Sequence, residues 1–412
     1  MPMMKHALKV IKEAVTKLND SQIPVVACDQ PLFALMKQIQ WQFPNFDEQH
    51  FVIFFGGLHI EMGFFSLIGK LLDQSGWTDV LSEAEVTTSG RAHGLLSTQH
   101  LKRTRYAHEV SLLTFSKLKR KAFDDSNTDA TFDEWSTEQC ATSPTFFFWD
   151  LIMRMQTLIF LFIRSQRQRN FNLYRCCLER MMPFFLALDS FNYSRWLSVH
   201  VRDLKNLPDS IHEEFQKGNF VVAKSIHKFS SIAIDQAHEM TNKVIKGTGG
   251  AIGLFHTQQT LTQWLLLIPE LTRLLQEFRI CMPSVVGFDN ETAPDNDVDG
   301  DDDNDDDDDI PLLHHEQTKG FQKQFYGKAR KLYSKVLEYG NPFESQDGDL
   351  IRLTTRGICD PSVVHDLKNL EKLGKEQYDA FNNDVLVKGT KSIHDAITKN
   401  SFKLFSTKLR DT

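Results

Sequence analysis

A chain of 412 residues can bury a sizeable core and form two or three domains. At 41% hydrophobic and 25% charged residues, it has the composition of a soluble globular protein. Its opening, MPMMKHALKVIKEAV, lacks the apolar core and cleavage site of a secretory signal. The net charge of −7 is unevenly placed: eleven aspartates and no lysine or arginine lie between Asp295 and Asp309, and without them the rest of the chain carries +4. Such a basic body is compatible with nucleic acid without requiring it.

The elements follow in chain order. Ala7–Leu18 has helical periodicity, Ile23–Cys28 is a short apolar run, and Pro31–Trp41 is a helix with Leu32, Leu35, Met36 and Ile39 on one face. Phe51–Phe55 is a second buried strand, closed by Gly56-Gly57, and Leu58–Leu72 is a strongly apolar helix. Strand, helix, strand, helix predicts a small α/β core with a parallel pair. Residues 91–205 read as helical and carry basic clusters, among them Lys102, Arg103 and Arg105, Lys117 to Lys121, and Arg164, Arg167 and Arg169. Within this stretch Asp124–Ser143 is polar and reads as a loop.

Thr145–Ile163 is long and apolar, but Asp150 and Arg154 interrupt it. The uninterrupted part, Met155–Ile163, falls short of the roughly 20 residues a membrane span needs, which favours a buried helix. Phe220–Ala223 and Ile232–Ile234 form two short strands around a turn near Ser225–Lys228, and a polar helix runs from about Asp235 to Lys246. Leu261–Phe278 is amphipathic. The acidic run is a linker, because like charges repel and nothing apolar is present. About three helices follow, broken near Gly340 and Gly357–Pro361. The resulting division is 1–90 (α/β part of a core), 91–205 (basic helical insertion), 206–290 (returning part of the core), 291–312 (acidic disordered linker) and 313–412 (C-terminal helical segment). The six cysteines (Cys28, Cys140, Cys176, Cys177, Cys281 and Cys359) contain no C-x-x-C pair, which predicts reduced thiols in an intracellular protein.

Three positions could carry chemistry. Asp29 ends an apolar strand, where α/β folds place ligands; before Gln30-Pro31 it is also a good helix cap. His59 follows a buried strand through two glycines and could orient or bind a metal-ligating carboxylate, or be a satisfied structural histidine. Asp235, Glu239, Asn242 and Lys246 fall on one helical face with His238 beside them. That stripe is either a solvated surface or a polar site with oxygen ligands for Mg²⁺ or Mn²⁺. It is not H-E-x-x-H, so a zinc protease is excluded. The glycine-rich Gly247–Gly253 follows a helix and lacks the G-K-[S/T] of a P-loop, and His314-His315-Glu316 adjoins the acidic run.

The strings CDQPLFALMKQIQW, GGLHIEMGFFSLIGKLLDQSGWTDVLSEAEV, NYSRWLSVHVRDL and KFSSIAIDQAHEMTNKVIKGTGGAIG resemble a large family of uncharacterised proteins present in many copies in transposon-rich animal genomes. YGNPFE and the late helices extend that resemblance over most of the chain. The order of parts is similar to the RNase H-like transposases of the hAT and Kyakuja–Dileera–Zisupton groups. In those, an Asp ends a strand, a His-bearing helix follows, a helical insertion intervenes and a Glu-bearing helix returns to the site. The resemblance implies Asp29 as the second catalytic Asp, His59 as the histidine after the next strand and Glu239 as the closing acid; the helical stripe adds Asp235 as a further metal ligand, with His238 and Asn242 in support. Such a nuclease needs a first Asp on an earlier strand. Only Met1–Gln22 precedes Ile23, reading as a helix with Asp20 its sole aspartate. Two metals about 3.5–4 Å apart need three or four carboxylates.

The fold class expected is therefore α/β, mainly helical, with a partial RNase H-like core, a long helical insertion and a C-terminal helical segment. The function expected is that of a transposase-derived protein with an incomplete metal-dependent strand-transfer core. It binds DNA through Lys102, Arg103, Arg105, Arg164, Arg167 and Arg169, uses Mg²⁺ or Mn²⁺ if active, and engages no membrane. Nuclear residence follows from that reading; the only basic localisation-like string is Lys117–Lys121. The alternatives are a non-catalytic protein-interaction protein and a metal-dependent hydrolase of another substrate.

Overall fold

The computed structural model describes residues 1–188, 190–225, 229–246, 319–344 and 348–387, with isolated helical positions between 259 and 273. Among them 73% are helical and 4% lie in strands. The coarse expectation of a mainly helical α/β protein holds. Two compact units are present: Met1–Ala237 with Lys319–Thr412, and His238–Thr318.

The first unit opens with helix α1 (Pro2–Leu18). Strand β1 (Val25–Cys28) and strand β2 (Val52–Phe55) then pair in parallel, Val25 opposite Val52 and Cys28 opposite Phe55. Helix α2 (Gln30–Gln42) connects them and starts where it does because Asp29 accepts the Leu32 amide, with proline in the first turn. Helix α3 (Gly57–Leu72) leaves β2 at once, with Ile60, Phe64, Phe65, Leu67, Ile68 and Leu72 buried.

Helices α4 (Trp77–Glu83), α5 (Ser89–Leu96), α6 (Leu101–Asp125), α7 (Phe132–Thr142), α8 (Pro144–Arg167), α9 (Phe171–Ala187), α10 (Phe191–Lys205) and α11 (Asp209–Gln216) follow. Strands β3 (Val222–Ala223) and β4 (Ser231–Ile232) then make a short antiparallel ladder. Helix α12 (Ile234–Lys246) leaves the first unit after Ala237. The turn expected at Ser225–Lys228 lies partly outside the described residues. Helix α7 corrects the loop expected over Asp124–Ser143. Its polar sequence hides a capping box, in which the Thr131 hydroxyl accepts the Glu134 amide while the Glu134 carboxylate accepts the Thr131 amide.

Helix α8 is the one described helix long and apolar enough to cross a membrane, and 61% of its apolar window is buried inside the protein. Its two interrupting charges are satisfied internally. Asp150 accepts from Lys119 Nζ at 2.7 Å and from Arg154 Nε at 3.0 Å. Burying Lys119 breaks the Lys117–Lys121 string as a surface signal, since its middle lysine is 7% exposed.

Helix α13 (Lys319–Tyr339) and helix α14 (Pro361–Phe381) belong to the same unit. Thr114 of α6 donates to the Ala329 carbonyl of α13 at 3.2 Å, Tyr106 meets Phe321 and Phe325, and α14 lies along α9. The expected C-terminal segment is thus part of one core with the expected insertion. Of the second unit, the described residues are the remainder of α12 and the isolated helical positions. The acidic run at 295–309, the linker at 291–312, Gly247–Gly253, His314–Glu316, most of Leu261–Phe278 and everything after 387 lie outside the described residues. No disulfide joins the five described cysteines.

Candidate functional site at the strand ends

Parallel strands leave their C-terminal backbone ends on one edge, and here β1 and β2 run out together: the Gly56 amide donates to the Cys28 carbonyl at 2.8 Å. Asp29 and the Gly56-Gly57 turn are therefore neighbours. Helix α3 starts on glycine and has no capping side chain of its own, so its first amides need an acceptor from elsewhere.

Asp235, 177 residues away and on the first turn of α12, supplies it. Its Oδ1 accepts the Leu58 amide at 3.1 Å, and its Oδ2 accepts the His59 amide at 3.2 Å and the His59 Nδ1–H at 2.9 Å. An anion here also meets the positive end of the helix dipole. Asp235 is 6% exposed. Its bond to Nδ1 fixes the tautomer and orientation of a His59 ring that is 29% exposed.

The two glycines fit this junction closely. A Cβ on Gly56 would lie 2.2 Å from Asp235 Oδ2, and one on Gly57 would lie 2.6 Å from Gln166 Oε1. Two tyrosines complete the surroundings. The Tyr193 hydroxyl is pushed up to about 12 by burial, then by the carboxylates of Asp29 and Asp235, so this ring stands near both acids. Burial and then Asp235 raise Tyr174 well above the ordinary phenol range. Burial, then Asp29 and Asp235, likewise push the Cys28 thiol far up, which removes it as a nucleophile at neutral pH.

Of the residues expected to act, Asp29, His59 and Asp235 do gather at the strand ends. Asp29 is a helix cap, its Oδ1 accepting the Leu32 amide at 3.1 Å. His238, Glu239 and Asn242 belong to the second unit, where His238 and Glu239 are exposed and Asn242 is half-buried. Among the described residues, no three His, Cys, Asp or Glu side chains gather so as to hold a metal ion. Asp235 has both oxygens engaged by three donors, so the acids present at this edge do not fit a Mg²⁺ or Mn²⁺ centre.

The basic residues divide. Lys102 and Arg103 are exposed on the first turn of α6, and Arg164 and Arg169 are exposed at the end of α8 and just beyond it. Arg169 also donates from Nε to Ser231 Oγ at 2.8 Å, and the half-buried Arg167 lies over the Phe229 ring at 5.5 Å. Arg105, expected to contact DNA, is instead committed inward: its guanidinium clamps the buried Glu61 carboxylate at 2.5 and 2.7 Å. A carboxylate on the apolar face of α3 requires such a partner.

These basic positions share one end of the unit. Contacts of Lys119 with Asp150 and of His108 with Gln156 run α6 antiparallel to α8. Contacts of Phe65 with Phe160 and of Gly57 with Gln166 do the same for α3. The first turns of α3 and α6 thus lie at the C-terminal end of α8. Gln166, Tyr174 and Tyr193 are not among the site residues expected from the sequence, although Tyr174 and Tyr193 lie among the aromatics interleaved with its basic clusters.

Removing the remote cap tests the geometry. Asp235→Ala is expected to lower stability by about 1–3 kcal/mol, because two amides and an imidazole N–H lose their acceptor. Urea unfolding reads this out; an unchanged midpoint means that solvent serves these donors equally well.

Compared with known proteins, the chain matches one family model, a domain of unknown function (DUF8702), over residues 3–132 and 119–393. No curated protein and no solved structure matches it.

Proposed function

The chain belongs to the DUF8702 family, and we propose that it is a transposase-derived protein that binds DNA through the basic ends of α6 and α8. In this reading the β1–β2 pair and its acids are the remnant of an RNase H-like strand-transfer core. The observation that carries it is the convergence of exposed Lys102, Arg103, Arg164 and Arg169 on one end of the first unit, beside the first turn of α3. Phosphate contacts of that kind position a protein on a duplex without reading its sequence. No catalytic step is assigned, because the acids at the strand ends serve as helix caps. Residence in the nucleus, where DNA is found, belongs to the same proposal.

The test is DNA affinity against salt. For the intact chain, log Kd should rise steeply and linearly with log salt, and each of Lys102→Ala, Arg103→Ala and Arg164→Ala should reduce the slope by about one. Affinity that stays flat from low to physiological salt removes the DNA reading. Slopes that stay unchanged in all three variants move the contact surface elsewhere.

A further inference from the structure

We propose that the solvent-facing stripe of α13 binds single-stranded DNA, with Tyr326 stacking on an unpaired base while Lys319, Lys323 and Arg330 contact its phosphates. The inference rests on the DNA-binding reading for its class of partner, and adds a second surface and the form of the strand.

Helix α13 buries Ala329, Leu332 and Val336 on one side. On the other, Lys319, Lys323, Tyr326, Arg330, Ser334 and Leu337 recur at steps of three and four residues, and all six are exposed. The cations of this helix divide along that line. Off the stripe, Lys328 and Lys331 pair with Glu85, and Lys335 pairs with Glu338. On it, Lys319, Lys323 and Arg330 form no ion pair with any described residue. No acid falls on the stripe, so three positive charges face solvent along about 16 Å of helix. Such a line suits a strand that carries one phosphate per nucleotide.

Tyr326 selects among polyanions. It stands between Lys323 and Arg330, about one turn from each, and is 53% exposed. Phe325 meets its ring edge-on at 5.6 Å, which steadies the ring without covering it. An aromatic face framed by cations suits a single strand: the cations track the backbone and the ring stacks on a base. A duplex keeps its bases stacked on one another and offers the ring no face.

The stripe adjoins the basic end formed by α6 and α8. Tyr106 of α6 meets Phe321 and Phe325, Thr114 donates to the Ala329 carbonyl, and Asn341, just past α13, donates to the Leu118 carbonyl. The two helices therefore run parallel, with their first turns together. Lys102 and Arg103 lie one turn before Tyr106, at the seam with α13. A duplex held at the ends of α6 and α8 and a strand laid along α13 would occupy neighbouring surfaces.

The experiment is fluorescence anisotropy of the full chain with a labelled oligothymidylate of about 12 nucleotides and, separately, with a duplex. Tyr326→Ala should weaken oligonucleotide binding about ten-fold, the loss of one stacked base, and leave duplex affinity unchanged. Tyr326→Phe, which keeps the ring, should bind as the wild-type chain does. Lys323→Ala and Arg330→Ala should each reduce the salt slope on the oligonucleotide by about 0.7. These side chains are exposed, so the variants keep the fold.

Oligonucleotide binding as tight in Tyr326→Ala as in the wild-type chain overturns the proposal. An equal loss on the duplex, or on anionic phosphatidylserine vesicles, also overturns it, because the stripe is then a general anion or membrane surface. Duplex binding with no oligonucleotide response to any variant removes the stripe alone. An oligonucleotide response without duplex binding keeps the stripe and removes the duplex reading of α6 and α8. Binding of neither removes both.

Discussion

Replacing Gly374 by alanine is expected to destabilise the protein by about 3 kcal/mol, although alanine is the better helix former. Gly374 lies in mid-helix on α14, and a Cβ there would come 2.0 Å from the Pro183 carbonyl oxygen of α9. The obstacle is backbone, which cannot rotate away as a side chain would, so the two helices must separate and the apolar contact between them opens. Gly327 on α13 is the control: nothing lies within 4 Å of its Cβ position, so alanine there should stabilise by about 0.5–1 kcal/mol through helix propensity. Urea midpoints measured side by side give the two signs. If both substitutions stabilise, the α9–α14 contact is looser than this geometry requires.

Acid should unfold the protein through two histidines. His108 and His200 are fully buried, and burial holds both at about 3 against an ordinary value of 6.5. His108 stacks between Phe65 and Trp77 with Gln156 at its Nδ1. His200 stands edge-on to Phe33, Phe54 and Phe55, and neither ring nitrogen has a hydrogen-bond partner among the described residues. Lys37, close by, adds a smaller push in the same direction.

Both rings stay neutral in the folded protein and take up a proton only on unfolding. Their contribution is complete above pH 6.5 and is lost as pH falls from 6.5 toward 3. Between pH 6.5 and 4 each costs about 3 kcal/mol. Glu48, which Lys37 and Arg202 bring to about 2 against its burial, loses stability in the same direction but over a lower window. His200→Phe, which suits a pocket already made of phenyl rings, should therefore flatten the fall in urea midpoint between pH 7 and 4. A variant as acid-sensitive as the parent assigns the loss to other groups.

What the sequence disclosed follows from where its signals are local. The apolar runs of β1 and β2, the helix between them and the parallel pairing were legible because short buried strands joined by a helix have few arrangements. Asp29 as a cap was also legible, from aspartate two residues before proline. Helix α7 was not, because a polar helix gives little periodicity, although Thr131 and Glu134 carry its start signal.

The expected order of parts returns the polar stripe of Asp235 to the site of His59, but as a metal ligand; that Asp235 caps α3 is not legible, since sequence does not reveal a backbone contact across 177 residues. The available hint was negative: α3 begins on two glycines with no cap of its own. Arg105 was misread for a related reason. Its charge suggested a surface contact, while the signal that it turns inward was Glu61, set among Ile60, Phe64 and Phe65 on a buried face.

Helices α13 and α14 and the segment between them reach back to α6 and α8 over more than two hundred residues, as in Thr114 to Ala329, Thr145 to Asp349 and Arg154 to Glu371. On the ribosome, the apolar flanks that these helices cover are made long before their covers emerge. At about 5–20 residues per second, the nascent chain waits for tens of seconds with those flanks open. Flanks left open for that long favour chaperone capture during synthesis, because of how the core is divided along the message.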